Sequence, residues 1–120
     1  MNWQAFTLNA LRIVTGLLFV PHGWQKLVVN GVETFSRSWF AGVIELVGGL
    51  LIVIGLQTRW TAFLCSGLMA FAYWLVHGTT ALFPIDNGGE LAVLYCFVFL
   101  FLWANGGGEF SVDGMMKNKK

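Results

Sequence analysis

Five ionisable side chains interrupt stretches that are otherwise apolar: Arg12, His22, Glu45, His77 and Glu90. Within a membrane span such a group costs about 2.5 to 3.5 kcal/mol on insertion scales, so each is either a functional group or half of a structural pair. Glu45 has the most telling neighbours, because Gly42 and Gly49 stand at i−3 and i+4 on its own helix face. Small residues there admit a second helix. The carboxylate is therefore expected to face protein and to serve as a proton acceptor or as the hydrogen-bond partner of a quinol-like ligand. The competing reading is a salt bridge that fixes helix register. Arg12 shares a face with Gly16 and Phe19, and depth along the helices leaves about 9 Å between it and Glu45. A buried, structural Arg12–Glu45 pair is expected. His22 lies between Pro21 and Gly23, where the first helix should kink or end and free the Leu17 carbonyl. An imidazole with its ordinary pKa of about 6.5 can shuttle protons, which makes Glu45 and His22 the candidate catalytic residues.

These groups gather at one depth. Lys26 lies one turn beyond His22, while His77 and Glu90 fall at the same ends of later spans. Tyr73 near that layer could stack on a flat ring. The expected ligand site is thus His22, Lys26, Glu45, Tyr73, His77 and Glu90, in one layer. Opposed His22 and His77 could hold a haem iron, but no further motif accompanies them and a quinone is the stronger reading. No metal-binding spacing is present. Cys65 and Cys96 fit no disulfide framework, and depth counting separates them by about 10 Å, beyond the roughly 7 Å that a disulfide spans.

The elements that must position these residues are helices. With 57% hydrophobic and 11% charged residues, against about a quarter charged in soluble domains, the composition suits a bilayer. Four apolar segments, near 5–22, 39–56, 60–77 and 89–105, approach the length of about 17 to 25 residues that crosses a membrane. The expected fold is all-α: an integral-membrane four-helix bundle forming one domain over residues 1–120. His22 and His77 close the first and third spans and Glu45 and Glu90 lie in the second and fourth, an echo that suggests a duplicated helical hairpin.

Charge sets the expected orientation. Arg59, Lys117, Lys119 and Lys120 fall on one side, and only Lys26 and Arg37 on the other, so both termini are expected in the cytoplasm and the polar layer near the outer face. Met1 to Gln4 carry no Lys or Arg and no small-residue cleavage site follows, so the first span is expected to be retained. A net charge of +1 without a basic stripe argues against a nucleic-acid partner. The expected partners are the lipid bilayer, a membrane quinone and other redox proteins; a homo-oligomer stays open.

Read in order, Leu11-Arg12 with Gly16, His22-Gly23 with Lys26, Phe40-Ala41-Gly42 with Glu45, Gly48 and Gly49, and Gly55-Leu56 with Thr58-Arg59 resemble the bacterial DoxX family. Met69, Phe83-Pro84, Asn87-Gly88-Gly89-Glu90-Leu91-Ala92 and Gly106-Gly107-Gly108 with Ser111 and Asp113 extend the resemblance over nearly the whole chain. It implies a four-helix inner-membrane protein. Members of the wider family resemble or accompany the membrane subunit of a thiosulfate:quinone oxidoreductase, and others act with superoxide dismutase and a sulfurtransferase. By resemblance the positions to carry over are Arg12, His22, Lys26, Glu45, Arg59, Glu90 and Asp113, with Arg12, Arg59 and Asp113 read as structural charges. The sequence has no flavin or iron–sulfur motif, so a complete oxidoreductase would need a partner or a diffusible quinone. The alternative is a non-enzymatic scaffold or anchor that assembles partner proteins.

Overall fold

The computed structural model describes residues 2–77 and 82–118, and every regular element among them is helical. The four long helices are α1 (Trp3–Trp24), α2 (Arg37–Ile54), α3 (Thr58–Ala72) and α5 (Glu90–Asn105); α4 (Pro84–Asn87) and α6 (Val112–Asn118) are short. Two of these segments, Trp3–Val29 and Arg37–Ile54, are long and apolar enough to cross a membrane, while α5 is apolar but shorter. Large apolar side chains are exposed on all four long helices, among them Leu17, Leu50, Leu64 and Phe97. Little of the chain's apolar surface is enclosed: the buried core is Phe19, Ile52, Ala62, Cys65, Met69, Tyr95, Phe99 and Leu102.

Local chemistry sets most of the helix ends. The Asn2 side chain accepts from the Ala5 amide at 2.8 Å, and the Ser36 hydroxyl accepts from the Trp39 amide at 3.1 Å, each satisfying an amide that the first turn leaves unpaired. Gly55, at φ +73°, ends α2 in the left-handed conformation. Of the two expectations at Pro21, a kink or an end, the end does not occur: α1 runs through the proline to Trp24 and continues as a π-helical turn over Gln25–Val29. Neighbouring helices and local π adjustment allow a proline inside an apolar span. A second π turn, Tyr73–His77, extends α3.

Glycines bring α1 and α2 together. A Cβ on Gly16 would lie 2.8 Å from the Gly49 carbonyl oxygen, and one on Gly23 would lie 2.6 Å from that of Gly42. Each pair is two turns apart on its helix, so the antiparallel backbones touch at both crossings without side chains between them. In the other hairpin, α3 packs antiparallel on α5, where the Ser66 hydroxyl donates to the Cys96 carbonyl at 2.9 Å. Phe19 joins the hairpins, its ring centroid 4.9 Å from that of Phe99 and 5.3 Å from that of Tyr95.

Candidate functional site

The buried charges separate into two places. At the end of the molecule that holds the α1–α2 loop, the Lys26 ammonium and the Glu45 carboxylate are 2.7 Å apart. The Glu45 side chain is 4% exposed and that of Lys26 35%. Gly42 makes this possible: the Lys26 Cβ is 3.1 Å from where a Cβ on Gly42 would stand, so the lysine stem passes over the glycine toward Glu45 one turn further along α2. Only Oε1 is engaged. Glu45 Oε2 is fully buried and has no hydrogen-bond partner among the described residues, although buried carboxylate oxygens are nearly always paired.

Further along α2 from Glu45 the helix meets a thiol: a Cβ on Gly48 would lie 2.8 Å from Cys65 Sγ. Tyr95 is buried, stacks on Phe99 at 5.9 Å and meets the His22 ring edge-on at 6.2 Å. Sequence reasoning favoured Tyr73 and passed over Tyr95. The available signal was a lone phenol in the middle of the otherwise apolar Leu91 to Leu102 stretch.

The expected layer of six residues forms only in part. Lys26 and Glu45 are joined, and His22, itself exposed, reaches this region through Tyr95. Glu90 is exposed at the first turn of α5, beside a cleft with Leu94 and Phe97. Tyr73 lies in the π turn after α3, next to Trp74. The His77 side chain lies outside the described part of the structure. Among the described residues, no three His, Cys, Asp or Glu side chains are placed to hold a metal ion.

The expected Arg12–Glu45 pair does not form. Arg12, 1% exposed, turns the other way: Nη1 donates to the Gly107 carbonyl and to Asn9 Oδ1, and Nη2 donates to the Phe110 carbonyl at 2.7 Å and the Val53 carbonyl at 3.5 Å. Depth alone does not decide the partner: residues 106–111 fold back against Arg12 and supply its acceptors. Asn9, absent from the sequence-based set, accepts from both Arg12 and the Phe110 amide; a polar side chain at i−3 from a buried arginine was its signal. The Asp113 carboxylate accepts from the Gln57 and Thr58 amides at 2.9 and 2.8 Å, supplying from a distant segment the cap that α3 lacks locally. Arg59 Nη1 donates to the Trp103 and Ala104 carbonyls at 3.2 and 2.8 Å, closing the C-terminal end of α5. Both cysteines are free. The Ser66–Cys96 contact places Cys65 and Cys96 near one level, not 10 Å apart; direction separates them, with Cys65 Sγ against Gly48 and Cys96 Sγ beside Ser66.

Fold and site together define a small helical protein whose charges are buried between apolar helices that also expose apolar side chains. The chain belongs to the DoxX family, whose model matches residues 7–78, a stretch holding Arg12, His22, Lys26, Glu45 and Arg59. It is 38% identical to an uncharacterised protein of Haemophilus influenzae, over 98% of this chain and 96% of that one. It is 27% identical to the inner membrane protein YqjF of Escherichia coli over 90% of each chain. A shorter match, 36% identical over 41% of this chain and 43% of the other, is to the putative oxidoreductase CatD of Bacillus subtilis. No solved structure matches.

Proposed function

We infer that this chain is a multi-pass protein of the bacterial inner membrane, in which α1, α2, α3 and α5 form a four-helix bundle with both termini in the cytoplasm. Exposed apolar side chains on all four helices support it, as do the loop charges and the inner-membrane name of the Escherichia coli relative. Within that bundle the chain serves as the membrane component of a quinone-linked redox system, and the oxidoreductase name of the Bacillus subtilis relative points the same way.

The observation that carries the redox reading is that Glu45 Oε2 has no partner among the described residues. A carboxylate held on one oxygen by Lys26 keeps the other as a strong acceptor for a hydroxyl hydrogen. In this reading a quinol would give its hydroxyl hydrogen to Glu45 Oε2, with the mutually touching Tyr95 and His22 rings as further contacts and the exposed apolar helix faces suited to an isoprenoid tail. When bound, a quinone supplies two-electron, two-proton chemistry; its electrons would pass to or from a partner redox protein. The chain's own part is to exclude water, orient the headgroup, and hold a proton at Glu45 or His22.

Quantifying the quinone extracted with the purified protein tests this. Wild type is expected to carry a stoichiometric fraction and Glu45→Gln several-fold less at equal folding. Equal quinone in both, at the level of bulk lipid carry-over, would favour the scaffold reading.

A further inference from the structure

The sequence reading gave the end of the molecule beyond α5 no function, yet it holds a cleft of about 590 Å³ bordered by Arg59, the Gly106–Gly108 loop and Lys117. Arg59 uses only Nη1 to hold the end of α5. Its Nε and Nη2 lie 3.4 and 3.3 Å from where a Cβ on Gly106 would stand, and neither has an acceptor among the described residues. That pair is the edge of a guanidinium that grips two oxygens of a carboxylate or phosphate at once.

The loop adds an amide. The Gly107 carbonyl accepts from Arg12, and the Gly108 carbonyl accepts from the Ser111 hydroxyl at 2.7 Å. The Gly107–Gly108 peptide is trans, so the Gly108 N–H points away from Arg12, and it too lacks an acceptor among the described residues. Glycine is needed for the shape, since Gly106 and Gly108 have φ +80° and +89°. Of the acidic neighbours, Asp113 has both oxygens occupied by the α3 amides, and Glu109 is exposed at the rim.

We propose that this cleft binds a phosphate group, gripped by the Arg59 Nε–Nη2 edge and the Gly108 amide with Lys117 adding charge. It lies where the apolar helices end, beside Trp60, which is 76% exposed. That is the depth of lipid headgroups if the chain spans the bilayer, so the oxyanion comes either from a phospholipid headgroup or from free phosphate. The site is independent of the quinone reading, and Arg12 is its positioning residue.

Purified protein in non-ionic detergent and phosphate-free buffer, titrated calorimetrically with inorganic phosphate and separately with short-chain phosphatidylglycerol, tests the proposal. Wild type is expected to bind saturably at one equivalent. Arg59→Lys keeps the charge but loses the two-point grip, and should bind about tenfold more weakly. Lys117→Gln, an exposed change, should weaken binding about threefold with an unchanged melting temperature. Tighter binding of the lipid assigns the site to headgroups, and tighter binding of phosphate assigns it to the free ion; both uphold the oxyanion site. No saturable binding of either probe, or wild-type affinity in Lys117→Gln together with any folded Arg59→Lys, overturns it.

Discussion

Glu45 and Lys26 differ in what each loses when their contact is cut. Lys26 is partly exposed and can return to water, whereas Glu45 is buried with one oxygen already unpaired among the described residues. Glu45→Gln keeps the shape and a hydrogen-bonding group, and should lower stability by about 1 kcal/mol. Glu45→Lys sets two cations together in a closed space and should cost about 3 kcal/mol or more. Detergent melting curves separate the two, and equal tolerance of both would mean that Glu45 faces water or lipid. Arg12 makes the complementary case, because one guanidinium satisfies the Gly107, Phe110 and Val53 carbonyls. Arg12→Met should cost about 3 kcal/mol or more and open residues 106–111 to limited proteolysis; an unchanged cleavage pattern would show that other contacts hold the loop. The sequence marked both residues through the cost of burying charge, but it assigned the wrong partner. Partner choice depended on a lysine stem passing over Gly42 and on a loop folding back between helices, and neither leaves a periodic signal.

Among the elements, the α1–α2 contact depends on backbone meeting backbone. Gly23→Ala would put a methyl 2.5 Å from the Leu46 nitrogen and 2.6 Å from the Gly42 oxygen, atoms that move only if the helices part. Gly67 on α3 has nothing within 4 Å of its absent Cβ. Gly23→Ala should therefore destabilise by about 2 kcal/mol, while Gly67→Ala should be neutral or stabilise by up to about 1 kcal/mol. If the two substitutions shift the melting temperature alike, the close crossing is not what holds the hairpin. The helices themselves were legible: the segments expected near 39–56 and 89–105 correspond to Arg37–Ile54 and Glu90–Asn105, because long apolar runs and their glycine ends speak plainly. The π turns were not, since a single extra residue per turn barely disturbs hydropathy. They matter because the turn at Gln25–Val29 carries Lys26 to Glu45, two residues that the sequence placed in one layer without pairing them. The cap that Asp113 gives α3 was equally hidden, lying 55 residues away in the chain.

For the molecule as a whole, the membrane reading demands an orientation: in a background without Cys65 and Cys96, cysteine at Gly31 should react in intact cells with an impermeant thiol reagent, and cysteine at Asn118 only after lysis. Labelling of Asn118 from outside would reverse the topology. A second test concerns the central proposal, that a quinol headgroup hydrogen-bonds to Glu45. The most direct measurement is photolabelling of wild-type and Glu45→Gln membranes with an azidoquinone, followed by peptide mapping. The predicted result is label on the segments carrying Lys26 or Tyr95, displaced by excess unlabelled quinone and several-fold weaker in Glu45→Gln. Label spread over the exposed faces of α1, α2, α3 and α5, undisplaced and equal in both proteins, would contradict the account.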